Sequence, residues 1–393
     1  ETYAEARAKF CGAAAEAGGA LRSWLNPKAR GPNGETLYLD TARFGPADAA
    51  NMLVLIAGTH GVEGHCGSGA EIAWLRTGGA GRLPKDTGAL VIHALNPYGF
   101  AWSRRVTEDN VDLNRNFVDH DKAYPVNDGY LAIADAVLPH DWNDASTAKS
   151  EAVFAAYAQK HGAFGLQSAI SAGQYTHPDG IFFGGTTPTW SNRTVRAVAR
   201  EELSRARRVG IIDFHTGASH RNNFPQIRCV FKDEESVELA RIFNPPFILN
   251  SNLIAKTLRE SIVKRKKKIL LFEGGKSNSI EEQVVEEGLN GVKRVISHLG
   301  MRNYKYDISK DREPILLEES KWMRAPSSGM FQAFIQNGSA VSKGDILGIV
   351  TDPYGNYEKK IKATQDGYII CSNESPVVYK GDAIINIAKK RNS

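Results

Sequence analysis

The chain has 393 residues, with 49 basic and 44 acidic side chains and a formal net charge of +5. Its 42% hydrophobic and 24% charged content is that of an ordinary globular protein, which excludes disorder, a collagen-like repeat or a coiled coil as a global description. An excess of five positive charges on so large a surface gives no electrostatic ground for a nucleic-acid partner.

A chain of this length has room for two or three domains. The four cysteines, Cys11, Cys66, Cys229 and Cys371, are far apart and form no C-x-x-C pair, so neither a disulfide framework nor a Cys-based zinc site is expected. No run approaches the length of about 18 apolar residues that a membrane span needs. A soluble protein of a reducing compartment, the cytoplasm, is therefore expected, with no membrane partner; a chain lacking an initiator Met leaves a removed presequence open.

In chain order, residues 3–25 are Ala-rich with helical spacing and predict an amphipathic helix. Residues 52–57 (Met-Leu-Val-Leu-Ile-Ala) form a wholly apolar block ended by Gly58, the pattern of a strand covered on both faces. A helix is predicted over 69–76, and further apolar strands over 89–95, 209–214 and 268–272. Strands alternating with helical stretches predict an α/β sheet. Between Phe117 and Arg208, helical pieces at 128–137, 149–160 and 192–205 make an excursion too long for a simple crossover, suited to shaping a cleft.

From about residue 326 the pattern changes. Val341-Ser-Lys-Gly-Asp-Ile-Leu-Gly-Ile-Val350 is echoed by Val378-Tyr-Lys-Gly-Asp-Ala-Ile-Ile-Asn-Ile387, and Gly329-Met-Phe by Gly367-Tyr-Ile. The repeat predicts a duplicated β unit, and hence two domains: 1–325, α/β, and 326–393, a small all-β module. The module resembles the barrel-sandwich folds of lipoyl and biotinyl carrier domains. A second asymmetry appears at Gly210: 15 Arg and 6 Lys precede it, and 10 Arg and 18 Lys follow. The shift marks either a domain boundary or a join between differently biased coding sequences.

Gly58-Thr-His-Gly-Val-Glu-Gly64 follows the first buried strand, so the imidazole of His60 and the carboxylate of Glu63 can converge on one ion at a strand's C-terminal end. Ile211-Ile-Asp-Phe-His-Thr-Gly217 offers a third ligand, His215. Asp213, two residues earlier, shares its side of a regular strand. Alone, His215 would read as a packed core histidine. Two His and one Glu together form the three-ligand set of a catalytic zinc site. Such chemistry also needs a base, a cation for the developing oxyanion and a grip on the substrate. Glu273, ending an apolar strand before Gly274-Gly275, faces the same sheet edge. Arg104 or Arg105 can polarise a carbonyl, and Asn114 with Arg115 can grip a carboxylate.

Other features carry less. Gly64-His-Cys-Gly-Ser-Gly69 lacks the Lys-Ser/Thr of a phosphate loop and the glycine order of a dinucleotide fingerprint. Cys66 reads as a small packing residue, and Lys264-Arg-Lys-Lys-Lys268 as a solvated turn. No G-x-S-x-G elbow suggests a serine hydrolase.

In order and context, H-G-x-E, N-P-x-G-F with R-R, D-L-N-R-N-F, D-F-H-T and a strand-terminal Glu resemble the zinc carboxypeptidase superfamily over residues 50–300. Up to about Ala218 the chain resembles a bacterial carboxypeptidase-like group. From Asn223-Phe-Pro-Gln-Ile-Arg onward, including Phe-Glu-Gly-Gly-Lys and the β module, it is similar to the succinylglutamate desuccinylase and aspartoacylase group. The resemblance implies a mixed, mostly parallel sheet flanked by helices. It implies one zinc ion on His60, Glu63 and His215, Asp112 orienting His60, Arg105 as oxyanion stabiliser, Asn114 and Arg115 as carboxylate binders, and Glu273 as general base then acid. The expected activity is hydrolysis of an N-acyl amino acid. Carboxypeptidase action on peptide C-termini is the enzyme alternative, a metal-binding or carrier protein the non-enzyme one, and homo-oligomerisation stays open.

Overall fold

The computed structural model describes residues 2–81, 83–141, 143–217, 220–301 and 312–391. Helix α1 (Tyr3–Glu16) opens on a capping box between Thr2 and Glu5. It is shorter than the expected 3–25. Gly18 takes φ +75°, a left-handed step that ends the helix, and the next segment becomes strand β1 (Ala20–Arg30). Alanine content set the helical expectation, and the Gly18-Gly19 pair overrides it.

Strands β2 (Thr36–Phe44) and β3 (Asn51–Ala57), helix α2 (Gly64–Arg76), strand β4 (Thr87–His93) and helix α3 (Pro97–Ala101) follow. Helices α4 (Asp128–Leu131), α5 (Ala134–Val137), α6 (Asp144–Ser171, interrupted at Gly162) and α7 (Trp190–Leu203) make up the excursion. The chain continues through β5 (Arg208–Gly217), β6 (Arg221–Cys229), α8 (Glu234–Phe243), β7 (Phe247–Asn250), α9 (Leu258–Lys264), β8 (Lys268–Lys276) and α10 (Glu282–His298). The last strands are β9 (Ile315–Arg324), β10 (Gly329–Ala333), β11 (Ala340–Val341), β12 (Ile346–Thr351), β13 (Glu358–Lys362), β14 (Gly367–Asn373), β15 (Val377–Val378) and β16 (Ala383–Lys390). Both copies of the internal repeat adopt one form, strand–short strand–strand, in β10–β12 and β14–β16.

Twelve strands form one sheet in the order β1-β2-β4-β3-β5-β8-β6-β7-β9-β16-β14-β11. Parallel pairing joins β4, β3, β5 and β8 at its centre and β6, β7 and β9 beyond them. The remaining pairs are antiparallel, so the sheet is more evenly mixed than expected: the β1–β2 hairpin runs against β4 at its first edge, and β14 and β16 run against β6 and β9. Because β14 also pairs with β6, strands β6, β7, β9, β16 and β14 close a ring. Strands β13, β12, β10 and β15 form a separate four-stranded sheet.

The apolar run of β3 divides by parity. Leu53 and Leu55 pack with α1, α2, α8 and α10 on one face, and Met52, Val54 and Ile56 pack with α7 and α9 on the other. Burial on both faces is the reason the run carries no polar alternation. Cys66 packs in the first of these cores, as its sequence reading has it. Among the described residues no helix is long and apolar enough to cross a membrane.

Candidate metal and substrate site

The C-terminal ends of β3, β5 and β8 lie side by side, and the chain leaves each of them carrying a site residue. After β3, Gly58 and Thr59 lead to His60 and a single 3-10 turn, Gly61–Glu63, which feeds directly into α2. This turn lies against α3: a Cβ on Gly61 would stand 2.0 Å from the Gly99 carbonyl carbon. Only glycine permits that approach.

His60, Glu63 and His215 are all buried and converge, with ligand atoms within 4.8 Å of one another. His60 Nδ1 lies 3.0 Å from Glu63 Oε1, and His215 Nδ1 lies 2.8 Å from Glu63 Oε2. Each imidazole turns its other nitrogen toward a carboxylate. His215 Nε2 is 2.9 Å from Asp213 Oδ2, and His60 Nε2 is 3.5 Å from Asp112 Oδ1 and 3.2 Å from Asn114 Nδ2. At His215 the outer carboxylate selects the tautomer that leaves Nδ1 free to ligate. Thr59 Oγ1 in turn donates to Asp213 Oδ1 at 2.9 Å. Burial alone would raise the Glu63 carboxyl, but the two imidazoles hold it well below the usual range. Burial would likewise lower His215, and Asp213 and Glu63 raise it well above its ordinary value.

Of the two arginines left open by the sequence, Arg105 lines the pocket and Arg104 is exposed. Arg105 Nε donates to Asp112 Oδ2 at 3.0 Å and its Nη1 stands 3.5 Å from Glu63 Oε1. Asp112 caps the turn Leu113–Arg115 by accepting from the Asn114 amide, so one carboxylate organises His60, Arg105 and the turn. Arg105, with His60, holds the buried Asp112 carboxyl well below its usual range.

Asn114 and Arg115 both line the pocket, yet each is already engaged. Asn114 Oδ1 accepts from the Leu258 amide at 3.0 Å while its Nδ2 faces His60. Arg115 donates to the carbonyls of Asn114 and Ser171, leaving its buried Nε unpartnered.

Glu273 stands directly across from His215 in the β5–β8 register. It accepts from Asn223 Nδ2 at 2.8 Å, with Arg228 Nε at 3.7 Å. Asn223 and Arg228 are five residues apart on one strand and would ordinarily face opposite ways. A bulge between Asn223 and Gln226, at Pro225, adds one residue and brings both to the Glu273 side.

These groups surround a cavity of 350 Å³ whose wall also includes Arg221, Arg259 and Trp322, with Asn386 from β16. Five guanidiniums thus face three carboxylates, Glu63, Asp213 and Glu273. Sequence reading assigned no role to Thr59, Asn223, Arg228, Arg259 or Trp322. Pro225 within a strand was the available signal for Asn223 and Arg228; Arg259 and Trp322 carried none.

Comparison with known proteins agrees with this architecture. A product-bound structure of the ectoine utilization protein EutE (DoeB) from Ruegeria pomeroyi is 16% identical over 94% of this chain and 95% of that one, with a TM-score of 0.64. A succinylglutamate desuccinylase/aspartoacylase from Rhodobacter sphaeroides is 16% identical over 95% and 96%, with a TM-score of 0.62. An aspartoacylase family protein from Mesorhizobium loti is 15% identical over 95% and 96%, at 0.60. At such identities the likeness is one of fold. It runs on both sides of the changeover expected at Ala218, which itself lies outside the described residues. No curated protein matches the sequence. The model of the family described as "Protein of unknown function (DUF2817)" matches residues 1–262, and the chain belongs to that family.

Proposed function

We propose that the chain is a zinc-dependent hydrolase that cleaves the amide bond of a small, carboxylate-bearing N-acyl amino acid. The observation that carries this reading is the convergence of His60, Glu63 and His215, each imidazole backed by a carboxylate, in a pocket shared with Glu273 and five arginines. Two imidazole nitrogens and one carboxylate suit zinc, and three protein ligands are the number found at catalytic rather than structural sites. When bound, the ion would supply Lewis acidity to the scissile carbonyl and acidity to water.

The chain's own residues supply the rest. Glu273, held by Asn223, takes a proton from the attacking water and later delivers it to the leaving amine nitrogen. Arg105, anchored on Asp112, stabilises the negative charge that develops on the carbonyl oxygen. Arg228 and Arg259 join Arg115 in holding the carboxylate groups of the substrate, and Asn114 positions His60. The strands after residue 325 form the cap of the pocket through Asn386 and favour small substrates.

The test combines zinc analysis with hydrolysis of N-acetyl, N-succinyl and dipeptide substrates. One zinc per chain is expected, lost in His60→Ala and kept in Glu273→Gln, with Glu273→Gln slowing hydrolysis by about 10²–10⁴-fold. Cleavage of dipeptides alone would favour a carboxypeptidase. Parent activity in Glu273→Gln would overturn the mechanism, and bound zinc with no hydrolysis of any of these substrates would point to a metal-binding or carrier role.

A further inference from the structure

A second cavity, of 480 Å³, lies on the α7 and α9 face of the sheet. Its walls are apolar: Ile56, Ile92 and Ile211 from the central strands, Val198 from α7, Leu258 and Ile262 from α9, and the ring of Phe117. Its size falls within the range of small-molecule sites, which are mostly apolar with a few placed polar groups. Here those groups are of one kind. Arg196 and Arg200 from α7 and Arg265 from the end of α9 border the cavity.

Among the described residues no carboxylate pairs with the three guanidiniums, although Arg196 lies over the Phe117 ring at 5.8 Å. Arg196 donates to Asn192 Oδ1 and Arg265 to the backbone and hydroxyl of Ser261. Burial, and then the neighbouring Arg265 and Arg200, push the Arg196 pKa down, with Asp119 a weaker opposing influence. A cluster of like charges beside an apolar wall is unfavourable alone and complementary to an anion carrying a hydrocarbon chain.

We propose that this cavity binds a single-chain anionic amphiphile, its acyl chain against the sheet and its carboxylate or phosphate head held by Arg196, Arg200 and Arg265. Helix α9 separates it from the catalytic pocket: Arg259 faces that pocket, while Leu258 and Ile262 face this one. The proposal therefore does not depend on the hydrolase reading.

Calorimetric titration of the full chain tests it, with decanoate, decyl phosphate and decanol as probes. Saturable binding of one decanoate or decyl phosphate per chain is expected, with the preference between them identifying the head group, and decanol binding about tenfold more weakly or less. Arg200→Glu combined with Arg265→Glu, both exposed positions, weakens the anions by about tenfold or more. Ala199→Trp, which fills the cavity wall from an exposed position, does the same. His60→Ala leaves binding within about twofold, because the site is separate. Absence of saturation, equal affinity for decanol, indifference to the Arg200/Arg265 change, or loss in His60→Ala would each overturn the proposal.

Discussion

At the residue scale, the site is a set of carboxylates assigned to different partners. Asp112 and Asp213 are buried behind the two imidazoles, Glu63 lies between them, and Glu273 faces the pocket from the next strand. Removing an outer carboxylate leaves the ligand in place without its orientation. Asp213→Ala is accordingly expected to weaken zinc binding by about 10–100-fold in a chelator competition. Asn223 acts through Glu273, so Asn223→Ala should keep zinc, lower kcat/KM by about tenfold or more and shift the limb of the pH profile that reports the base. A separate buried histidine contributes a pH dependence to stability. His93 is fully enclosed, with Ser68 Oγ 3.0 Å from Nε2 and Phe10 stacked on its ring, and burial pushes its pKa down to about 4. Between the ordinary value near 6.5 and about 4, the unfolded chain binds a proton that the folded chain does not. The His93 contribution to stability therefore falls as pH drops through that window, by on the order of 3 kcal/mol at its lower end. Urea midpoints at pH 7.5, 5.5 and 4.5 check this: His93→Gln should flatten the acid-side decline, and an identical decline in the variant would place its cause elsewhere.

At the element scale, three short features aim the chemistry. The turn Gly61–Glu63 folds flat onto α3 because residue 61 has no side chain. Gly61→Ala drives a methyl into the Gly99 backbone, and should cost roughly 1–3 kcal/mol while weakening zinc retention, since His60 and Glu63 flank the displaced position. Thermal unfolding and metal analysis of one preparation measure both. The bulge at Pro225 puts Asn223 and Arg228 on one side of β6. The turn Leu113–Arg115 is held by Asp112 from within and by the α9 amide of Leu258 from without. The elements were legible to unequal degrees. Central strands and the loop motifs at their ends could be read from apolar runs closed by Gly or Asn-Pro. The early end of α1 could not, because alanine content outweighed a two-glycine signal. Neither could the bulge's effect on facing, because it depends on the pairing with β8.

At the scale of the whole molecule, the strands after residue 325 are joined to the rest through β14 on β6 and β16 on β9. Arg221, on the strand that β14 joins, sits over the Trp322 ring at 4.8 Å. Removing residues 326–393 uncovers two strand edges and the apolar side chains of Phe247, Leu249 and Leu317, which cluster with Ile370 and Ala388 in the full chain. The truncated chain should unfold at lower denaturant or aggregate, whereas the full chain should lose its secondary and tertiary signals together. A truncated chain with the parent midpoint would show that the β module adds nothing to stability.

Much of the chemistry was written locally. Candidate site residues lie three apart in a turn or two apart on a strand, where covalent geometry alone brings side chains together, so His60 with Glu63 and Asp213 with His215 could be named from spacing. The apolar blocks likewise determined a central sheet buried on both faces. Tertiary structure decided what depends on residues far apart in the chain: the choice of Arg105 over Arg104, the holding of Glu273 by Asn223, the engagement of Asn114 with α9, the five arginines of the pocket and the ring closed by β14 on β6. Strand register and long-range packing set those contacts, and neither is encoded in any one segment.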